Sequence, residues 1–259
     1  MKIYEVGPRD GLQGLSVVPT ETKLELIDRL SETGLEYIEI GSFVGQKTIP
    51  QMADSGNVAR RIKRHDGVTY SALVPNIKYY GDAREVDIPE IAVFLSANEE
   101  HNQANLGRDI ATTKKKLREV IHAARDDGKT VRGYVSTVWG YRGHDTSMSN
   151  VTDISKWLID EGVYQVSLGD TTGLATAGIV RDVLLAIRGE MPLDKFALHY
   201  HTKRADMREK IDAGYEMGIR VFDSSIGGLG GCPTDELLGN VDTEELNKTF
   251  RKRWNSNRR

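Results

Sequence analysis

The amino-acid sequence predicts a (β/α)8 barrel of the TIM-barrel class, with residues 1–259 forming one catalytic domain that ends in a short basic tail. Three observations carry that expectation. Eight short apolar, β-branched runs recur along the chain. Stretches with helical apolar spacing lie between them. The length of 259 residues suits the ~250 residues such a barrel uses.

The strand-like runs fall at 3–6, 37–40, 69–74, 91–95, 130–135, 164–168, 196–199 and 220–223. Residues 20–31 carry Leu24, Ile27 and Leu30 at helical spacing, and Gly34 follows as a stop. Residues 109–127 carry Ile110, Leu117, Ile121 and Ala124 and end before Gly128. Residues 153–161 carry Ile154, Leu158 and Ile159 and end before Gly162. Residues 177–189 and 205–218 follow the same plan, while 76–87 leaves room for only a short helix. Strands alternating with helices imply βαβ units and a parallel sheet. Eight such units favour a closed barrel over an open doubly wound sheet. No Gly-x-Gly-x-x-Gly turn follows the first strand, which argues against the dinucleotide-binding form of the open sheet.

Composition removes several function classes. A net charge of −3 gives no footprint for nucleic acid. No run of roughly 20 apolar residues is present to span a membrane. The single cysteine, Cys232, cannot form an intramolecular disulfide. The N-terminus shows no signal-peptide pattern and reads straight into a strand. Together these features predict a cytoplasmic protein.

In (β/α)8 barrels the chemistry sits at the C-terminal ends of the strands. Polar groups stand at nearly every such end here: Arg9 and Asp10, Glu39 and Ser42, Ser96, Ser136, Asp170, His199 and His201, and Asp223. His199 and His201 are two apart on one strand, which puts both imidazoles on one face. Asp10 and Asn240 offer hard oxygen donors. Two imidazoles, a carboxylate and an amide oxygen, completed by water, suit an octahedral Mg²⁺ or Mn²⁺, and residue types alone leave Zn²⁺ open. Arg9, beside Asp10, is suited to an oxygen on which negative charge develops, or to a structural pairing with Glu39. Gly227, Gly228, Gly230 and Gly231 lead to Cys232, a run with more glycine than a plain turn needs. A thiol there is a candidate acid or base. Asp242, Glu244 and Glu245 mark the start of a terminal helix by its dipole.

The stretches Val6-Gly-Pro-Arg-Asp-Gly-Leu-Gln13, Ile38-Glu-Ile-Gly-Ser-Phe-Val44 with Pro50-Gln-Met52, Ser167-Leu-Gly-Asp-Thr171, His199-Tyr-His201, and Gly228-Leu-Gly-Gly-Cys-Pro233 through Asn240 run in order across nearly the whole chain. In these the sequence resembles the 3-hydroxy-3-methylglutaryl-CoA lyase family, within the metal-dependent lyases and Claisen-condensing enzymes built on this barrel. The resemblance implies a divalent metal, Mg²⁺ or Mn²⁺, held by Asp10, His199, His201 and Asn240. It implies Arg9, Glu39, His199 and Cys232 as catalytic residues, with Arg9 on the enolate oxygen and Cys232 as proton donor. It implies an acyl-CoA substrate, cleaved by a retro-Claisen reaction to acetyl-CoA and acetoacetate, as in leucine degradation and ketone-body formation. Assembly as a homodimer is a further expectation, with no nucleic-acid or membrane partner. A condensing or aldolase-type enzyme and a shortened, non-catalytic family member are the rival readings. One departure is clear: where the family carries Asp-Thr and then a glycine after the second histidine, this chain has Thr202, Lys203 and Ala205.

Overall fold

The computed structural model describes residues 1–231 and 238–256. Strands β1 (Lys2–Glu5), β2 (Tyr37–Ser42), β3 (Thr69–Leu73), β4 (Glu90–Ser96), β5 (Thr130–Ser136), β6 (Gln165–Asp170), β7 (Phe196–Thr202) and β8 (Val221–Ser224) pair in parallel and in sequence order. The β1–β8 and β6–β7 pairings close the ring. All eight strands overlap the runs expected from sequence.

Helices return the chain between strands: α1 (Thr20–Ser31), α2 (Ser55–Arg61), α3 (Ile77–Glu85), α4 (Glu99–Leu106), α5 (Ile110–Asp126), α6 (Met148–Asp160), α7 (Ala177–Glu190) and α8 (Met207–Met217). The expected stops hold. Gly34, Gly128, Gly162 and Gly218 all take positive φ just past helix ends, where a side chain on Cβ would be strained. Two helices lay beyond the sequence reading. The α4 segment is polar on all sides and has no apolar period; it is started instead by the Asn98 side chain, which accepts from the His101 N–H at 3.0 Å. The α2 segment is only seven residues long and contains Gly56. Helix α6 begins five residues before the expected start, because buried Val151 adds one more apolar step ahead of Ile154 and Leu158.

The main core lies between sheet and helices. Ile38, Ile91, Leu95, Val166, Leu168, Leu198 and Phe222 face outward from the strands onto Ile27, Leu117, Ile121, Leu158, Leu184, Ile187 and Ile211, all nearly inaccessible to water. Each such side chain contributes about 1.5–3 kcal/mol by leaving water. The inward-facing positions differ: buried Tyr4, Glu39, Ser71, Arg132, Tyr134, Ser167, His199 and Asp223 give the lumen a largely polar filling. Among the described residues, no helix is long and apolar enough to cross a membrane.

After β8 the chain adds a two-residue strand, β9 (Gly239–Asn240), antiparallel to the end of β7, with Asn240 opposite His201. Helix α9 (Thr243–Ser256) then starts where expected, with the Asp242 carboxylate accepting from the Glu245 N–H at 3.0 Å.

Candidate active site

The first βα connection is a tight turn. Residues Gly7–Gly11 wind as a single π turn, in which the Val6 carbonyl accepts from the N–H groups of Arg9, Asp10 and Gly11 at 3.1, 2.7 and 3.3 Å. Arg9 and Asp10 are thereby fixed to the end of β1 and aimed over the barrel mouth.

Asp10, His199 and His201 converge there, with one ligand atom from each lying within 4.8 Å of the others. Asp10 Oδ2 is 3.6 Å from His201 Nε2 and 3.9 Å from His199 Nε2. The two Nε2 atoms are 3.2 Å apart. The β9–β7 ladder delivers Asn240, whose amide lies 2.7 Å from Asp10 Oδ2. A half-turn of that amide presents oxygen in place of nitrogen.

The chemistry of these donors tests whether a cation fits. His199 Nδ1 lies 3.2 Å from Asp223 Oδ2, and His201 Nδ1 lies 3.1 Å from the Thr171 carbonyl. Both partners are pure acceptors, so each Nδ1 carries a proton and each ring turns its Nε2 inward. Two Nε2 atoms facing each other at 3.2 Å need a positive charge between them, which a shared proton or a bound cation supplies. Ligands ~2.1–2.6 Å from a hard cation stand roughly 3–3.7 Å apart on neighbouring octahedral vertices, close to the 3.2 and 3.6 Å observed. The residues fit a divalent cation.

Arg9 sits beside the triad. Its Nε donates to Glu39 Oε2 at 2.6 Å, and its Nη1 is 2.5 Å from Asp10 Oδ1. Burial pulls the guanidinium toward neutrality, but the Glu39 and Asp10 carboxylates overcome it and hold it charged. Both roles read for Arg9 therefore coexist, pairing with Glu39 and facing the site. Burial also works against the Asp10 carboxylate, yet Arg9 and the two histidines keep it well below the usual carboxylate range. Glu39 goes the other way: burial outweighs Arg9 and raises it. Its second oxygen, Oε1, is buried without a partner among the described residues. His201 is raised, because attraction to Asp10 exceeds the effect of burial.

Beneath the triad lies a support of which the sequence marked only Asp223, as a polar strand end. Arg132, fully buried, clasps Asp223 with Nη1 at 3.1 Å and Nη2 at 2.6 Å, and donates through Nε to Gln165 at 3.0 Å. Its guanidinium lies 3.9 Å from the Tyr4 ring centre and 4.9 Å from that of Tyr134. Ser167 adds a 2.9 Å bond to Asp223. Burial disfavours the Asp223 charge, but Arg132 and His199 win and lower its pKa. A carboxylate behind a ligating imidazole fixes its tautomer and raises its basicity. The clue in the sequence was alternation: Asp223 follows outward-facing Phe222, and Arg132 has the parity of Tyr134.

The glycine run closes over the same place. Gly230 has φ +84°, and a Cβ there would stand 2.7 Å from the Asp10 carbonyl and 2.9 Å from the Asn240 amide nitrogen. Only glycine lets this backbone approach the ligands so closely. Thus Arg9, Asp10, Glu39, His199, His201 and Asn240 lie together at the barrel mouth. Cys232 lies outside the described residues, as do 257–259 of the basic tail.

Comparison with known proteins agrees with this geometry. The HMGL-like family model matches residues 1–257. The chain is 42% identical over 250 residues to the 3-hydroxy-3-isohexenylglutaryl-CoA/hydroxymethylglutaryl-CoA lyase of Pseudomonas aeruginosa, covering 95% of this chain and 83% of that protein. It is 43% identical over 247 residues to hydroxymethylglutaryl-CoA lyase YngG of Bacillus subtilis, covering 94% of this chain and 83% of that one. The crystal structure of a Bacillus subtilis HMG-CoA lyase superposes with a TM-score of 0.95 at 41% identity, covering 97% of this chain and 85% of that chain. An Acinetobacter baumannii HMG-CoA lyase in complex with coenzyme A and 3-methylmalate superposes with a TM-score of 0.91 at 33% identity, covering 97% and 83%. In sequence and in fold, the chain belongs to the HMGL-like family of lyases.

Proposed function

We propose that the protein is a divalent-metal-dependent carbon–carbon lyase that cleaves 3-hydroxy-3-methylglutaryl-CoA, or a related 3-hydroxyacyl-CoA, to acetyl-CoA and acetoacetate. The observation that carries the reading is the placement of a charged Arg9 guanidinium against the Asp10–His199–His201 triad. A cation held by Asp10, His199, His201 and Asn240, Mg²⁺ or Mn²⁺ on this donor set, would supply Lewis acidity to the substrate's hydroxyl and carboxylate oxygens.

The chain's own groups account for the remaining needs of a retro-Claisen cleavage. The tertiary hydroxyl of the substrate must give up its proton. As its oxygen becomes a ketone, the C2–C3 bond breaks and the electron pair passes to the thioester as an enolate. Arg9, held charged between two carboxylates, is placed to stabilise that enolate oxygen. Glu39, whose Oε1 has no partner among the described residues, is the group we assign to take the hydroxyl proton, while Asp223 keeps His199 Nε2 aimed at the cation. The enolate carbon then takes a proton, a role we assign to Cys232. The described part of its loop ends at Gly231, packed against residues Leu238 and Gly239 beside the ligands. The names of the relatives support the substrate class, including one that acts on a longer-chain isohexenyl analogue. We further assign the reaction to the cytoplasm, on the acetoacetate-forming route of leucine degradation.

The test is direct. The purified protein with Mg²⁺ and 3-hydroxy-3-methylglutaryl-CoA should release acetoacetate, and His199→Ala and Cys232→Ala should lose at least ~100-fold in rate. Absence of product from the unmodified protein, or undiminished product from both variants, contradicts the mechanism. A condensing enzyme would instead join acetyl-CoA to a keto acid in the reverse assay.

A further inference from the structure

Among the described ion pairs outside the lumen, one is buried on both sides. Asp170, the last residue of β6, faces outward and is 1% exposed, and Lys210 of α8 is 4% exposed. Their Oδ2 and Nζ are 3.0 Å apart. Neither group belongs to the mechanism above. Both lie directly behind the cation site, because Asp170 is in register with Tyr200, the residue between the two histidines.

Asp170 is also the hub of the turn that follows it. The Ala175 N–H donates to both of its oxygens at 3.2 Å, and the Gly173 N–H donates to its carbonyl at 3.3 Å. Within that turn stands Thr171. Its carbonyl takes the His201 Nδ1 proton at 3.1 Å, and its hydroxyl accepts from the Thr137 N–H at 3.0 Å. The orientation of His201 therefore depends on where Thr171 is held.

We propose that Lys210 is a positioning residue for the cation site: its pairing with Asp170 anchors the 170–175 turn to α8 and so fixes the Thr171 carbonyl that aims His201. The inference rests on the metal-site reading above. A buried ion pair is seldom retained for stability, since apolar residues of like volume often serve as well or better. A doubly buried ion pair, one residue from the carbonyl that orients a ligand, fits an orienting task. It also gives a use to the segment after His201, where Thr202, Lys203 and Ala205 depart from the family pattern and lead into the helix that carries Lys210.

The experiment is Mn²⁺ binding to the full-length protein, measured by electron paramagnetic resonance of the free ion well below the unfolding temperature. Lys210→Met should weaken binding about tenfold, the lower end of the loss seen when an outer partner of a metal ligand is removed. Unchanged Mn²⁺ affinity in a folded Lys210→Met protein overturns the proposal, even if its melting temperature falls. Should the unpaired Asp170 prevent folding, the double variant Asp170→Asn/Lys210→Met removes the buried charge. It should fold and still bind more weakly, and wild-type affinity there overturns the proposal equally. Failure of the unmodified protein to bind Mn²⁺ would instead sink the metal-site reading, and with it this inference.

Discussion

The lumen of the barrel and the layer around it are built from opposite materials. Outside the strands the packing is mostly aliphatic, with a few hydrogen-bonded polar groups such as Glu5 and Asn102 and the buried Asp170–Lys210 ion pair. Inside, charges are stacked in depth: Arg132 on Asp223, Asp223 on His199, Glu39 on Arg9, Arg9 on Asp10. The outer layer supplies the free energy of folding. The inner one holds charge in fixed positions, with Asp10, Glu39 and Asp223 each facing a cationic partner. Stability and function are thus separated by the thickness of one β-sheet.

The sharpest way to break that contrast is in the lumen. Arg132→Met leaves Asp223 buried and unpaired, and should cost about 3–5 kcal/mol in urea unfolding. Adding Asp223→Leu should recover most of that loss while leaving His199 without its partner, so stability returns and metal affinity does not. Return of both would show that lumen polarity serves only packing. Leu184→Ala, fully buried on α7 in the outer layer, should cost about 3–4 kcal/mol. It should leave the Mn²⁺ dissociation constant within about twofold, since α7 touches no ligand.

The third test concerns a carboxylate with no cation at all. Glu5 accepts from the Gly7 and Ile226 N–H groups at 2.8 and 2.9 Å and from the Thr243 hydroxyl at 2.6 Å. These neutral donors do not offset burial, which pushes its carboxyl up from 4.5 to about 7. The folded chain therefore binds this proton more tightly than the unfolded one. The resulting stabilisation is complete below about pH 4.5 and is lost as pH rises through about 7, a swing of about 3 kcal/mol. Urea midpoints of the wild type should fall over that window relative to Glu5→Gln. Parallel curves would mean that the three hydrogen bonds already match the solvation Glu5 loses.

The sequence carried the outer layer better than the inner one, for a physical reason. Outward residues announce themselves by apolar period, so eight strands and most helices were readable. The metal triad was readable because His199 and His201 share a face and Asp10 ends a strand. The supports were not, beyond Asp223 as a polar strand end. Arg132 and Asp223 are 91 residues apart, and nothing local marks an arginine as lumen-facing until the register of β5 and β8 is known. The β9 strand is two residues long and has no period to detect, yet it alone brings Asn240 to His201.

That short strand has a consequence for how the protein is made. Asp10 emerges among the first residues of the chain, whereas Asn240 follows it 230 positions later. The histidines arrive late as well. During synthesis the barrel cannot present a finished cation site until β8 has paired with β1, a contact of long sequence separation and correspondingly slow to form, and β9 has folded back on the nearer β7. A chain that has not reached Asn240 therefore lacks the full donor set.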